Sequence, residues 1–155
     1  MARHSFRPLA AADLADVVVI ECATFPDPWS HQTFDELLRG PHVRSLAAVD
    51  GVGKVIGYAM GSVVMDEGEI LNLAVTPRAR GQGTGRALLL ELLEALRAAG
   101  ALRAFLEVRR SNGAAIALYL AVGFEDLGVR RSYYDQPKED ALTMRLELGS
   151  QRAMK

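Results

Sequence analysis

The chain has 155 residues, of which 50% are hydrophobic and 24% are charged, so it is long enough to form one globular domain with its own core. Its 18 basic and 19 acidic residues give a net charge of −1, which excludes a broad basic surface for nucleic acid. The longest apolar runs are too short to cross a membrane, and residues 1–8 lack the apolar centre of a signal peptide.

The chain begins with a predicted short strand at residues 5–9, followed by a predicted helix at residues 13–23. The single cysteine, Cys22, lies in this helix. One cysteine cannot form an internal disulfide, which favours a reducing cytoplasm. Because its neighbours are apolar, we expect Cys22 to fill the core rather than to act as a nucleophile.

A loop at residues 25–29 separates the first helix from the second, because its two prolines disfavour helix. Ser30 is the expected N-cap of the second helix, which ends before Gly40. Trp29 and Phe34 have the spacing of a hydrophobic staple. Trp29 could also line a substrate groove, and the two roles are compatible.

The middle of the chain predicts an α/β arrangement around one sheet. Residues 43–49 and 54–65 are expected to form antiparallel strands, and Glu69 begins a third strand that ends at Pro77. A glycine-rich loop at residues 80–86, RGQGTGR, then leads into an apolar helix ending before Gly100.

The order strand, glycine loop and helix predicts an anion site. Glycines let backbone N–H groups approach a ligand, and the first turn of a helix has N–H groups without partners inside the helix. The helix dipole alone stabilises an anion there by roughly 0.3–1 kcal/mol. The spacing of Gly81, Gly83 and Gly85 matches neither a Walker loop nor a dinucleotide fingerprint. A simple glycine-rich turn before a helix is the structural alternative.

The last third of the chain predicts a strand at residues 102–108, a short helix at residues 113–122, and a closing pair of strands at residues 125–131 and 140–148. An aromatic loop, Ser132 to Tyr134, is expected between the closing strands. The domain is predicted to span residues 1–148, with residues 149–155 forming a flexible tail.

Two groups of side chains bear on the kind of ligand. The three histidines are scattered without metal-ligand spacing, so we expect no metal. Arginines are frequent in the predicted loops, which suits a small polyanion. These arginines are Arg78, Arg80, Arg86, Arg109, Arg110, Arg130 and Arg131.

Two motifs resemble those of a known family. The loop Arg80-x-x-Gly83-x-Gly85 resembles the acetyl-CoA loop of the GNAT acetyltransferases. Residues 105–124, FLEVRRSNGAAIALYLAVGF, are similar to the ribosomal-protein-alanine N-acetyltransferases of the RimI type, and the likeness extends over residues 14–146. Two departures are Gly81, where many members carry a second cation, and Pro28, which is inserted before Trp29.

The resemblance implies a single GNAT domain of the α/β class. Its sheet would be mixed but mostly antiparallel, with six to seven strands flanked by about four helices and a splay between the central strands. Transfer of acetyl from acetyl-CoA to a protein N-terminal α-amine is the implied activity. The implied acceptor is the N-terminal alanine of a small-subunit ribosomal protein.

The resemblance also implies the catalytic residues. Glu107, in an otherwise apolar strand, would be the general base, directly or through a water, and such a group contributes about 10²–10⁴ in rate. Tyr119 would donate a proton to the departing CoA thiolate. The structural alternatives are an exposed strand glutamate and a core tyrosine.

The remaining implied site residues bind the two substrates. The backbone of Leu73, Ala74 and Val75 would pair with the pantetheine arm, and a backbone N–H there would hold the carbonyl oxygen. Asn112 would contact the pantetheine arm, although it could equally cap the following helix. The pyrophosphate would be bound by Gly81, Gln82, Gly83, Thr84, Gly85 and Arg86. The acceptor would be bound by Trp29, Asn72 and Tyr134.

We expect direct transfer in a ternary complex on a monomer, because the sequence shows no plausible acyl-carrying nucleophile. Two alternatives stay open. A GNAT enzyme acting on a small amine such as a polyamine would favour an acidic pocket, whereas Arg130 and Arg131 make the closing region basic. A non-catalytic acetyl-CoA-binding domain is disfavoured by the presence of Glu107 and Tyr119.

Overall fold

The computed structural model describes residues 4–149 of the chain. Residues 1–3, and residues 150–155 of the predicted tail, lie outside this range. The strands of the described chain are β1 (Ser5–Arg7), β2 (Val43–Val49), β3 (Val55–Val64), β4 (Glu67–Val75), β5 (Arg103–Arg109), β6 (Glu125–Asp135) and β7 (Lys138–Glu147). Its α-helices are α1 (Leu14–Thr24), α2 (His31–Leu38), α3 (Thr84–Ala98) and α4 (Gly113–Val122). No helix between residues 4 and 149 has the length and apolar character needed to cross a membrane.

The strands form one seven-stranded sheet in the order β1-β2-β3-β4-β5-β7-β6. Neighbouring strands are antiparallel except β4 and β5, which run parallel because α3 connects them as a crossover. The predicted α/β class and the mixed, mostly antiparallel sheet are therefore confirmed.

The central pair of strands separates after a short paired segment. β4 and β5 pair only from Glu67 to Glu69, opposite Arg103 to Phe105. The rest of β4 and of β5 extends beyond the last of these pairs, so a gap opens in the middle of the sheet. This gap is the predicted splay.

A β-bulge interrupts β4 near the start of the gap. Met60 pairs with Asn72, whereas its neighbour Gly61 pairs with Ile70, so Leu71 is an extra residue in β4. Ile70 packs in the core beside α3, whereas Leu71 packs on the side of α1 and α2. The side chain of Asn72 also lies on the α1 side, where it contacts Glu21.

Hydrophobic cores cover both faces of the sheet. On one face α3 buries Leu88, Leu92 and Leu96 against the strands. On the other face α1 and α2 bury a second cluster that includes Phe34 and Tyr58. α3 can approach β3 closely because β3 has glycines there; a Cβ atom at Gly57 would lie 2.9 Å from Leu88.

Two expectations from the sequence were wrong. Cys22 is exposed rather than part of the core, because α1 turns Leu14, Val17, Ile20 and Glu21 inward and Cys22 outward. Residues 132–134 are not a loop between strands but belong to β6, which continues to Asp135. A register shift between Arg130 and Tyr134 interrupts the pairing of β6 with β7 at this point.

Candidate active site

Two depressions meet at the gap between β4 and β5. One is a groove of about 540 Å³ beside the start of α3, and the other is a cleft of about 420 Å³ between the α1–α2 loop and the β6–β7 hairpin. Residues that line both depressions are Phe25, Leu73, Arg109, Asn112, Ala115 and Tyr119. We call the first the loop groove and the second the acceptor cleft.

The glycine-rich loop forms one end of the loop groove. Gly81 and Gly83 have φ angles of +78° and +83°, and a Cβ atom at either position would have no neighbour within 4 Å. Such φ values strongly favour glycine. Gly83 is the N-cap of α3, so the free N–H groups of the first turn adjoin the groove. The loop thus fits the predicted anion site.

Most predicted cofactor residues line the loop groove. They are Leu73, Ala74, Val75, Gly81, Gly83, Thr84, Gly85 and Asn112. Gln82 and Arg86 are not among the lining residues and are exposed beside it. The side chain of Arg80 reaches beneath the loop, where Nε donates to the carbonyl oxygen of Val75 at 3.0 Å and Nη2 donates to Oγ1 of Thr24 at 3.0 Å.

Glu107 lies in the acceptor cleft, where two side chains hold its carboxylate. The Thr143 hydroxyl donates to Oε2 at 2.5 Å, and Arg130 Nη1 lies 3.3 Å from Oε1. Thr143 is the cross-strand partner of Glu107 in the β5–β7 pair. The carboxyl group therefore has a fixed position at the edge of the gap.

A second carboxylate, Glu69, faces the same cleft. Glu69 pairs with Phe105 at the last position before β4 and β5 separate, and Phe105 and Glu107 project from the same face of β5. Partial desolvation raises the pKa of Glu69, and the nearby negative charge of Glu107 raises it further, while Arg130 opposes both effects. Glu69 was not identified from the sequence.

Tyr119 projects from α4 to the junction of the two depressions. Its side chain is buried, and its ring packs edge-to-face on Phe124 with centroids 5.6 Å apart. Burial raises the pKa of Tyr119 to about 12, so the phenol keeps its proton at neutral pH. Asn112 caps the same helix by accepting a hydrogen bond from the Ala115 N–H at 3.2 Å, which confirms the capping prediction.

The three predicted acceptor residues all line the acceptor cleft: Trp29, Asn72 and Tyr134. Trp29 packs on Phe34 with ring centroids 5.5 Å apart, as the staple spacing predicts. The Ser30 side chain caps α2 by accepting from the Thr33 N–H, also as predicted.

Arg109 joins the two walls of the acceptor cleft. Its guanidinium is 3.0 Å from Asp27 in the α1–α2 loop and 3.1 Å from Glu139 in β7. It also donates to the carbonyl oxygen of Pro137 at 2.9 Å and lies 4.2 Å from the centre of the Tyr134 ring. Arg109 is buried, and its charge is paired with carboxylates of the chain itself, so it differs in this respect from the exposed Arg86 beside the glycine-rich loop.

A buried polar network forms the floor of the acceptor cleft. Glu21 of α1 accepts hydrogen bonds from the Trp29 N–H, the Tyr58 hydroxyl and the Asn72 side-chain amide. Burial raises the pKa of Glu21, and these three hydrogen bonds oppose the increase.

Several residues of the site were missed by sequence reasoning: Glu21, Asp27, Glu69 and Thr143. A glutamate at an inward position of an apolar helix is the one local signal, and it identifies Glu21. Thr143 and Glu69 become part of the site only through strand pairing, which single-sequence patterns do not specify. Between residues 4 and 149, His, Cys, Asp and Glu side chains form no cluster of three or more suited to a metal ion.

Comparisons with known proteins agree with this geometry. The profile of the Acetyltransferase (GNAT) family matches residues 14–124. The [ribosomal protein bS18]-alanine N-acetyltransferase of Escherichia coli K12 is 39% identical over 148 residues, covering 94% of this chain and 99% of the relative. The N-alpha-acetyltransferase RimI of Mycobacterium tuberculosis is 39% identical over 147 residues, covering 91% of this chain and 90% of the relative.

A solved structure of a related acetyltransferase has the same fold as this chain. The crystal structure of the ribosomal-protein-S18-alanine N-acetyltransferase from Escherichia coli superposes with a TM-score of 0.86 at 37% identity, covering 95% of each chain. The family match, the relatives and the separated central strands agree, and the chain belongs to the GNAT family of acetyltransferases.

Proposed function

We propose that this chain transfers the acetyl group of acetyl-CoA to a protein N-terminal α-amine, with the N-terminal alanine of a small-subunit ribosomal protein as the physiological acceptor. The name of the Escherichia coli relative, which is 39% identical over 94% of this chain, supports this acceptor. The name of the Mycobacterium tuberculosis relative, 39% identical over 91% of this chain, supports an α-amine as the acceptor group. The observation that carries the proposal is that the loop groove and the acceptor cleft meet at Tyr119, while Glu107 lines the acceptor cleft.

The loop groove fits acetyl-CoA. The backbone of Leu73, Ala74 and Val75 runs along the gap, where β4 has left β5 and can pair with the pantetheine amides. Gly81 to Gly85 and the first turn of α3 present N–H groups to the pyrophosphate, with Gln82 and Arg86 beside them. Asn112 lines both depressions and borders the acetyl end.

The side chains then supply the proton transfers. Glu107 removes a proton from the acceptor ammonium, directly or through a water, and the neutral nitrogen attacks the thioester carbonyl carbon. A β4 backbone N–H stabilises the carbonyl oxygen. The C–S bond breaks, and Tyr119 gives its proton to the departing thiolate. The second amine proton is lost to solvent, and the transfer is direct.

An α-amine suits this chemistry because its ordinary pKa of about 7.7–8.0 leaves part of it neutral near pH 7. A small cationic amine is a second candidate, and the structure supplies a reason to test it. The acceptor cleft is lined by Glu21, Asp27, Glu69 and Glu107, so it is more acidic than Arg130 and Arg131 suggest. Arg130 itself pairs with Glu107.

A mass-spectrometric assay with acetyl-CoA separates these functions. The full chain is given peptides that begin with Ala, Ser or Met, and spermidine in parallel. We expect acetylation of the Ala peptide at its α-amine in preference to the other acceptors. Preference for spermidine would support the small-amine function, and binding of acetyl-CoA without turnover would indicate a non-catalytic domain. Either result would contradict the proposal.

Two variants test the assigned roles. Glu107→Gln should lower kcat at neutral pH by about 10²-fold, and the single variant Tyr119→Phe should lower kcat by a larger factor. Glu67→Gln is the matched control, since Glu67 is an exposed β4 glutamate that does not line the cleft. Unchanged rates in both active-site variants would remove these assignments. We further propose that the protein works as a cytoplasmic monomer built from one domain at residues 1–148.

A further inference from the structure

Glu21 is a buried carboxylate to which the proposed reaction gives no role. It is 2% exposed, and it lies on α1 at the floor of the acceptor cleft. Its three hydrogen-bond partners are neutral donors: a backbone N–H, a phenol and an amide. Burying a carboxylate among neutral donors is costly, so we expect Glu21 to have a role in the site.

The donors tie Glu21 to both sides of the cleft. The Trp29 N–H donates to Oε2 at 2.9 Å, which fixes the α1–α2 loop. The Tyr58 hydroxyl and Asn72 Nδ2 both donate to Oε1, the latter at 2.6 Å. Tyr58 is fully buried, and its hydroxyl oxygen is also 3.3 Å from Asn72 Nδ2.

This network determines which end of the Asn72 amide faces the cleft. Both oxygens of Glu21 accept hydrogen bonds, Oε2 from the Trp29 N–H and Oε1 from the Tyr58 hydroxyl, so the Asn72 atom that contacts Oε1 is the donor nitrogen. The amide oxygen therefore points away from Glu21, where it accepts from the Leu73 N–H at 3.2 Å at the edge of the cleft. Without Glu21, the Leu73 N–H would be the remaining contact that favours this orientation, and the Asn72 nitrogen would lose its carboxylate partner.

We propose that Glu21 is a positioning residue for acetyl transfer, which holds the Asn72 amide so that its oxygen accepts a hydrogen bond from the acceptor amine. This inference rests on the proposed function. An amine that is about to attack carries N–H bonds and must be met by an acceptor, whereas the NH₂ end of Asn72 would oppose it. Glu107 still removes the proton, and Asn72 orients the nitrogen.

A glutamine at position 21 cannot replace the carboxylate. If its oxygen faces Asn72, its NH₂ group meets the Trp29 N–H, and two donors oppose each other. If it turns around, Asn72 must turn its own oxygen toward position 21 and away from the acceptor. Glu21→Gln therefore either loosens the loop or flips the Asn72 amide.

A double-mutant cycle on the full chain tests the inference, with kcat/KM for the acceptor peptide measured at saturating acetyl-CoA. Glu21→Gln and Asn72→Ala should each lower kcat/KM by about tenfold, and the double variant should lie within about twofold of Asn72→Ala alone. If Glu21→Gln has the same effect in both backgrounds, Glu21 does not act through Asn72 and the inference is wrong.

The matched control is Ser30→Ala, which removes the cap of α2 beside Trp29 but leaves the contact between Glu21 and Asn72 in place. Its effect on kcat/KM should be the same in the wild-type and Asn72→Ala backgrounds. A non-additive Ser30→Ala would mean that general loosening of the loop explains the coupling, which would overturn the inference.

A variant that does not fold and a wild type without activity have separate consequences for the inference. If Glu21→Gln does not fold, as judged by circular dichroism, Asn72→Ala alone still tests the role of the amide, because an unchanged kcat/KM for the peptide overturns it. If the wild-type chain acetylates no N-terminal peptide, the proposed function fails first. An active wild type with an additive cycle contradicts only the role of Glu21.

Discussion

Thr143 donates a hydrogen bond of 2.5 Å from its hydroxyl to Oε2 of Glu107, its direct partner across the β5–β7 pair. This bond holds Oε2 of the proposed base, and Arg130 Nη1 lies 3.3 Å from the other oxygen, Oε1. A group that orients a catalytic carboxylate in this way contributes to rate without touching the substrate.

Thr143→Val should therefore lower kcat by about 5- to 10-fold, because valine has the same shape and lacks the hydroxyl that fixes Glu107. Steady-state kinetics with the acceptor peptide measure the effect. Thr143→Ser is the control, since it keeps the hydroxyl and should retain most of the wild-type kcat. Equal losses in both variants would assign the effect to packing instead.

Tyr119 gives a prediction about pH. Its pKa is raised to about 12 by burial, so the protonated phenol, the form that can donate, persists well above neutral pH. Tyr119→Phe should lower kcat by the same factor at each pH between about 7 and 10, because wild-type Tyr119 does not ionise in that range. A factor that shrinks steadily toward pH 10 would show that the phenol ionises earlier and would contradict the role.

Arg109 and Arg110 are adjacent in sequence but should respond very differently to loss of charge. Arg109→Gln leaves Asp27 and Glu139 without their shared cation, but Asp27 is 40% exposed, so water offsets part of the loss. The unfolding free energy should fall by about 1–2 kcal/mol. Arg110 is exposed and lies 3.9 Å from Asp140, so Arg110→Gln should change the unfolding free energy by less than about 0.5 kcal/mol.

Chemical denaturation of the two arginine variants measures this difference. Because Arg109 also joins the α1–α2 loop to the β6–β7 hairpin, its variant should raise KM for the peptide as well. Comparable stability of the two variants would show that the Arg109 contacts are not energetically coupled to the fold.

Gly83 should be more sensitive to substitution than Gly113. An alanine held at φ +83° would strain the backbone of the folded loop by about 1–2 kcal/mol. Relief of that strain would move the loop that caps α3. We expect Gly83→Ala to bind acetyl-CoA roughly tenfold more weakly, as measured by isothermal titration calorimetry. Gly113→Ala is the control, because Gly113 begins α4 with open space around it. Equal affinities in both variants would exclude the loop from binding.

The sequence predicted the elements best where local signals mark both ends. α4 spans residues 113–122 as expected, because Asn112 caps its start and Gly123 ends it with φ +118°. The pattern failed in β6, where Ser132 has φ +52° and the register shifts beside the two tyrosines. A bulge of this kind breaks the alternation of side chains, so a continuous strand looks like a loop.

The error at Cys22 has a different cause. In α1 the inward position beside Cys22 is taken by Glu21, and the apolar Val19 is 68% exposed, so hydrophobicity no longer indicates which face is buried. Departures from local pattern are expected at functional sites. The glycines predicted the end of the loop groove beside α3. Glu69 and Asp27 line the acceptor cleft, and Thr143 contacts Glu107, through contacts distant in sequence.

The extra residue in β4 puts two successive side chains, Leu71 and Asn72, on the side of α1. A bulge also bends its strand and increases the local twist, and this one follows directly after Glu69, where β4 last pairs with β5. A β4 without Leu71 would still turn Asn72 toward α1, because ordinary alternation from Ile70 gives the same face. It would lack the bend, however, and a straight β4 could continue its ladder along β5. The inserted residue thus favours separation of the two strands, which leaves β4 an edge with which a pantetheine arm can pair.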